Sequence, residues 1–442
     1  MRICITAGNK LLPAFSSPLL LLLFITLLSG CSSIGHKKVN GLANTLNQQP
    51  PEQVLSQLQT IVPGKRDTVQ YNLNVGTLQF LSQDYDNAVI NLTLAKDEMA
   101  ILYATSFSEN IGAATVNETM RSYAGTPTDL VMVNNMLALS YLFANNIDAA
   151  RVEILQADIM MKKIIKSDST SGQLASAHVL SAIIYELLDE TSNALISYRF
   201  AAEIIEQNNI HLADNIKLAL VRLSKDLGAN DQYDEYIEKY SISKQQLASM
   251  ESAKNSQIFA LHFNGVVDSK KEIAINVPAY RSGDSNDQLI RITMPSYPVQ
   301  FSSQSTAIID ANNSPVTTAE IESINQLARA DLAAEYPAIL LATTARAILK
   351  YDAVKNAEKK DPLAGFLMNV ATVLSESADV RSWNMLPASI QFGYIETSDL
   401  NVNIATTKVK QTVQIKPRSK HLILTSSVSD KLFHYDQSID NN

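Results

Sequence analysis

The chain has 442 residues, with 44 acidic against 36 basic side chains, a formal net charge of −8 and two cysteines. That length supports two or three domains with cores of their own. The acidic balance argues against general nucleic-acid binding, and so few cysteines exclude a disulfide framework.

In chain order, Arg2 and Lys10 precede the apolar run Leu19 to Leu27, which closes on Leu28-Ser29-Gly30-Cys31. A positive start, a short apolar stretch and small residues before a cut have the form of a secretory signal. The run is shorter than the roughly 20 apolar residues that a membrane span requires. Its last four residues resemble the lipobox of bacterial lipoproteins. The resemblance implies removal of residues 1–30 and acylation of Cys31. Because Ser32 rather than Asp follows, it also implies delivery to the outer membrane, with the body in the periplasm. Several acyl chains on one residue make attachment effectively stable. Cys4 would leave with the signal and the Cys31 sulfur would carry lipid, so no thiol would remain for a disulfide, a nucleophile or a metal. Residues 31–50 are polar, include Gly35 and Gly41, and end on Asn47-Gln48-Gln49-Pro50-Pro51; they read as a lipidated tether.

Residues 51–253 have helical periodicity, and three windows repeat one pattern. They are Gly76, Ala88, Leu92 and Ala95; Ala138, Ala150, Ile154 and Ala157; and Ala182, Ala194, Tyr198 and Ala201. In each, a small residue stands twelve positions before an alanine, a large apolar residue follows four later, and an alanine three after that. Small residues let two helices approach closely while the large one fills the gap to the next pair. The pattern resembles the tetratricopeptide repeat, a helical hairpin of about 34 residues, although no window has the Trp of that repeat and Gln79 stands where the other two have Tyr141 and Tyr185. Stacked hairpins of that kind imply a concave groove for a peptide or protein segment, with Asn135, Leu139 and Leu142 lining it. Ile101 to Ala124 reads as an extra helix. The next helix is capped by Thr128 or Asp129, and a later one by Asp214 or Asn215. Asp214 to Tyr240 reads as an amphipathic pair closing the stack.

Residues 254–442 change character. Ile258 to Phe263, Ile273 to Val277 and Ile290 to Met294 have strand length and partial alternation. Thr317-Thr318-Ala319-Glu320 has the form of a capping box for a helix carrying Ile321, Ile324 and Leu327. Pro337 is placed to start a second helix, Ala338 to Glu358, with Leu341, Ala345, Ile348 and Tyr351 on a stripe, and Pro362 a third, Leu363 to Leu374. That third helix is apolar enough to suggest membrane insertion or a partner groove but is too short to span a bilayer, and burial in the domain core is expected for it. Strands return at Ile390 to Ile395, Val402 to Thr406, Val409 to Ile415 and Leu422 to Thr425. Strands, helices, then strands predict an α+β domain with a mostly antiparallel sheet behind the helical repeat domain.

Arg121-Ser122-Tyr123-Ala124-Gly125, Pro337-Ala338-Ile339-Leu340, Asp361-Pro362-Leu363-Ala364-Gly365 and above all Ala378-Asp379-Val380-Arg381-Ser382-Trp383-Asn384-Met385-Leu386-Pro387 resemble a family of tetratricopeptide-containing bacterial lipoproteins of poorly defined function. The resemblance implies a place among envelope-assembly lipoproteins and no established enzymatic chemistry.

Arg381 and Trp383, the only tryptophan, read either as a structural corner, with Asp379 pairing to Arg381, or as a surface using cation–π contact. Lys408, Lys410, Lys416, Arg418 and Lys420 accumulate on strand-like sequence with no acid between Leu400 and Ser429. They read as guards of a strand edge or as a patch for an anionic lipid, cell-wall polymer or acidic partner. The six histidines show no metal spacing, and no nucleophile elbow, phosphate loop or dinucleotide fingerprint is present. Glu186, Asp189 and Glu190 read as a solvated or turn cluster rather than an acid/base pair. No catalytic residue, metal or cofactor is expected. The expected function is a lipid-anchored periplasmic scaffold binding a protein or peptide in envelope assembly, with a glycan-directed binder or enzyme using the C-terminal domain as the alternative.

Overall fold

The computed structural model describes residues 33–106, 121–164, 171–249, 255–279, 288–298, 305–311 and 313–437. Cys31, and most of the extra helix expected over Ile101 to Ala124, lie outside them. Among the described residues there are thirteen helices and eleven strands, a helical N-terminal part followed by a mostly antiparallel sheet region.

The expected tether is instead a helix. α1 (Ser33–Thr45) leads to α2 (Pro51–Gln59), and Val39, Ala43 and Leu46 form a buried stripe along and just past α1. Their spacing places one narrow apolar face on an otherwise polar segment. Asn40 Nδ2 also donates to the Val380 carbonyl, at 3.3 Å, pinning α1 to the far end of the chain.

Four helix pairs follow: α3 (Thr68–Leu81) with α4 (Tyr85–Ser106), α5 (Pro127–Phe143) with α6 (Ile147–Ile164), α7 (Ala175–Leu187) with α8 (Thr191–Gln207), and α9 (Asp214–Asp226) with α10 (Asn230–Tyr240), before a short α11 (Lys244–Ser249). The first three turn alike. Gln83, Asn145 and Asp189 take left-handed φ of 65°, 60° and 59°. The next residue's N–H bonds five positions back, to the carbonyls of Gln79, Tyr141 and Tyr185 at 2.9, 2.8 and 2.8 Å, which satisfies carbonyls left open at the helix end. The small residues act as their spacing predicts. Ala88, Ala95, Ala138, Ala150, Ala182 and Ala194 are buried, and a Cβ on Gly76 would stand 2.6 Å from Leu92 Cγ. The caps differ from expectation. Thr126 caps α5 by accepting from Asp129 N, and Asp129 returns the bond to Thr126 N; α9 follows Ala213 with no side-chain cap.

The C-terminal part forms three sheets. A five-stranded sheet has the order β11 (Leu432–Asp436), β10 (Lys420–Ser426), β1 (Ser256–Asn264), β7 (Ser389–Thr397), β6 (Ala319–Ser323), and within it only β1 and β10 run parallel. A four-stranded antiparallel sheet has the order β5 (Ser314–Thr317), β4 (Ile308–Ala311), β8 (Asn401–Ala405), β9 (Lys410–Gln414). β2 (Lys271–Ala279) and β3 (Gln288–Ser296) form a separate ribbon. Alternation along β1 feeds two cores: Phe259, Leu261 and Phe263 join the helices, while Ile258 and Ala260 pack with Ile309, Val402 and Ile404 of the second sheet. One continuous core therefore runs from Val39 through the helices to Tyr435. The boundary at 253 separates secondary-structure types, not cores.

The long helices also correct the sequence reading. Ser314–Thr317 and Ala319–Ser323 are strands, and α12 (Ile324–Glu358) begins at a Ser323 cap. It runs through Pro337 as one helix of 35 residues, although proline removes an internal hydrogen bond. α13 (Pro362–Ser375) opens on Pro362 with Asp361 accepting from Leu363 N. It is not core: Leu363 is 63% and Phe366 64% exposed.

Gly76→Ala is expected to lower the unfolding free energy by about 1–3 kcal/mol in urea denaturation, overpacking outweighing the gain in helix propensity. Adding Leu92→Ala should cost less than the sum of the two single changes, because it opens space for the new methyl.

Candidate functional site

The segment Arg381–Leu386 does not line a surface; it is driven into the helical layer. α3 offers it a buried polar stripe, Gln70, Asn74 and Thr77, spaced four and three apart so that one face carries all three. Gln70 Nε2 donates to the Ser382 carbonyl at 2.9 Å and to Asn384 Oδ1 at 3.0 Å. Asn74 Oδ1 accepts from Met385 N at 3.0 Å, and Trp383 Nε1 donates to Thr77 Oγ1 at 2.8 Å. Trp383 and Arg381 are each 2% exposed, so neither belongs to the candidate C-terminal surface. An indole N–H placed on a buried hydroxyl is what lets so large a side chain enter the core.

Arg381 ties three segments. Nη1 donates to the Arg66 carbonyl and Asp67 Oδ1, both at 3.0 Å, and Nη2 to the Arg121 carbonyl at 2.9 Å and Asp379 Oδ2 at 2.6 Å. Its guanidinium carbon lies 5.9 Å from the Tyr123 ring centre, and the Tyr123 hydroxyl donates to Asp129. Burial opposes charge on Asp379, but Arg381 outweighs it and holds that carboxyl below its ordinary range. The Arg121–Gly125 and Ala378–Pro387 segments, far apart in sequence, thus meet at one junction.

The proposed groove is closed by the chain itself. Asn135, Leu139 and Leu142 are buried, and the two leucines share a core with Phe433 and Tyr435 of β11. Phe433 stacks on Phe80 at 5.1 Å between ring centres and tilts against Phe143 at 5.6 Å. The sequence gives the reason: α5 and α7 are apolar on nearly every side and need cover on every side. Ion pairs seal the same boundary. Glu186, read as a solvated or turn residue, is buried against Arg222 at 2.7 Å, and Arg222 lies over Tyr394 of β7. Asp189 accepts from Lys420 at 2.6 Å, and Glu190 pairs with Arg151. Glu322 of β6 accepts from Ser176 N near the start of α7 at 3.1 Å; its burial pushes the carboxyl up to about 7 against these bonds.

Ser419 Oγ lies 2.5 Å from His421 Nε2, and His421 Nδ1 3.0 Å from His434 Nε2. Both Ser419 and His421 are buried, and burial pushes His421 down to about 4. Among the described residues no group of three or more His, Cys, Asp or Glu is placed to hold a metal ion. Lys408 and Lys410 stay exposed, and Lys410 begins β9, the edge strand of its sheet. This agrees with edge protection. Lys420 has left the basic patch for Asp189, and Lys416 pairs with Asp436 at 3.4 Å.

Apolar surface is concentrated elsewhere. α12, α13 and the β2–β3 ribbon form an arm whose outward side carries Leu341 (72% exposed), Ile348, Leu363 and Phe366. Arg346 and Lys350 of α12 meet Glu376 just past α13, and a Cβ on Gly365 would stand 2.6 Å from Glu358 Cβ, so only glycine allows this approach. On the ribbon, Ile273 and Ile275 pair with Met294 and Ile292 and are exposed, while Arg291 lines the ribbon–helix junction with Ala347 and Asn369. The signal that marked this arm was the absence of charge in all fourteen residues of α13.

No family model and no curated protein matches the chain. A solved structure, the apo form of RapI, is similar with a TM-score of 0.33 at 13% identity, over 45% of this chain and 52% of that one. The match thus spans about half the length of RapI, and at that score it carries no argument about fold or function.

Trp383→Ala is expected to cost about 3–5 kcal/mol of stability, read by urea unfolding; a surface role would leave stability unchanged. Glu322 keeps its proton in the fold up to about 7, while an unperturbed carboxyl releases it near 4.5. Its contribution is full below 4.5 and is lost as the pH rises to about 7. Glu322→Gln stays neutral throughout, so its Tm advantage over the native chain should widen across that window and then level off.

Proposed function

We propose that this chain is a lipid-anchored scaffold of the bacterial envelope, facing the periplasm from the outer membrane and binding a protein partner through its outward faces. The observation that carries the reading is the continuous core shared by helices and sheets. A chain that fills its own groove offers a fixed outer shape rather than a slot for a peptide. The helical pairs, with their shared turn geometry and small-residue contacts, support a tetratricopeptide-like stack; its inner face serves the C-terminal part. The membrane attachment rests on Leu28-Ser29-Gly30-Cys31. The outward side of the stack keeps apolar residues where a partner would find them: Leu94 and Ile101 on α4, Val152 and Ile159 on α6. The glycan alternative loses Trp383, which is buried, and keeps only the exposed Lys408 and Lys410.

The test is a crosslinking pull-down from intact cells expressing the full chain, compared with Cys31→Ala and with Leu94→Glu combined with Ile159→Glu. One envelope protein should be recovered with the native chain and fall about fivefold or more with the double change. Its stability should shift by no more than about 1 kcal/mol, because both positions are exposed. Recovery of cell-wall fragments alone would overturn the scaffold.

A further inference from the structure

The arm built from α12, α13 and the β2–β3 ribbon is apolar where it meets solvent, and three observations identify what covers it. The first is position. α1 is fastened by Asn40 to Val380, five residues beyond the end of α13, and Ala378 N donates to Glu272 of β2 at 2.9 Å. Cys31 lies nine residues before Asn40 and two before the first helical residue. At about 1.5 Å per helical and about 3.5 Å per extended residue, Cys31 lies within roughly 20 Å of that contact. An acylated Cys31 would therefore hold the base of the arm close to the bilayer surface.

The second observation is the pattern of charge. α13 has none, while Lys359 and Lys360 stand exposed at the tip between the two helices with Asp361 exposed beside them, so charge is gathered at the end of the arm, where headgroups would meet it, and kept off the apolar length of α13. The third is shape. Leu341, Ile348, Leu363 and Phe366 face outward from the helices, and Ile273 and Ile275 from the side of the ribbon turned away from Arg291. A leaflet can surround such an arm on both sides, whereas one flat protein interface covers only one.

Spanning is a poorer fit. α13 is about 21 Å long against a core of about 30 Å. α12 is long and apolar enough to cross a membrane by length and composition, but it is held to the body. Asp331 accepts from Thr128 N and Ser171 Oγ, and Arg346 pairs with Glu376.

We propose that the α12–α13 arm is a second membrane contact, seated in the headgroup and upper acyl region of the leaflet that holds Cys31. The choice of leaflet rests on the lipoprotein reading; the affinity of the arm for lipid does not. The test uses the chain from residue 31 with Cys31→Ser, which keeps every described element, floated with vesicles of phosphatidylethanolamine and phosphatidylglycerol. The unacylated chain should float. Phe366→Asp or Leu341→Asp should reduce the bound fraction about tenfold or more, and Phe366→Ser should do so without adding charge. Circular dichroism should be unchanged in all three. Failure to float overturns the inference. If the chain is then a dimer that Phe366→Asp dissolves, a second copy covers the arm; if it is a monomer, no lipid contact exists. Labelling of the full chain in cells with a radioactive fatty acid tests the anchor separately. Flotation without label removes the lipoprotein reading and leaves the arm, and label without flotation does the reverse.

Discussion

The structure depends on one act of burial: a polar-studded strip, Arg381 to Leu386, and the sheet behind it occupy the inner face of the helical layer. Apolar helices such as α5 and α7 gain stability only when every side is covered, and hydrophobic burial on this scale is the main favourable term in folding. The polar groups carried in with the strip would each cost free energy if left unpaired. Gln70, Asn74 and Thr77 meet Ser382, Asn384, Met385 and Trp383 one by one, so the apolar gain is kept and the register of one half on the other is specified.

Arg381 adds a charged version of the same device. A guanidinium removed from water is stable only with its donors matched, and here Asp67, Asp379 and the carbonyls of Arg66 and Arg121 match them. Two of those partners belong to the loop before α3 and one to the approach to α5, so the helical pairs are locked to each other through the C-terminal part. The inner face of the helical layer is thereby turned to internal use.

The arm follows the opposite rule. Its polar pairs, Arg346 and Lys350 with Glu376, lie inside, and its apolar side chains lie outside. A water-facing element normally reverses that arrangement, and exposed apolar area of this extent marks a surface intended for something else. A body whose inner face is covered by its own sheet thus carries an apolar arm in the open.

Much of this was legible in the residues. The spacing of small and large residues determined the helix pairs, because close approach at Gly76 and Ala138 has no other solution; alternation determined seven of the strands. Local chemistry misplaced what depended on distant partners. Thr128 and Asp129 looked like caps, yet Thr126 caps α5 because Asp129 can return its bond. Residues 31–50 looked like a tether because their apolar face is only three residues wide, and Pro337 looked like a helix start because a proline inside a helix needs support from outside it. Arg381 and Trp383 were singled out by sequence, but surface and core use the same residue types; only the partners decide, and Asp67, which meets Arg381, and Thr77, which meets Trp383, each lie more than 300 residues away. Composition alone thus determined that α5, α7 and α13 were apolar, and the tertiary structure decided which were covered: the sheet reaches the first two and leaves α13 in the open.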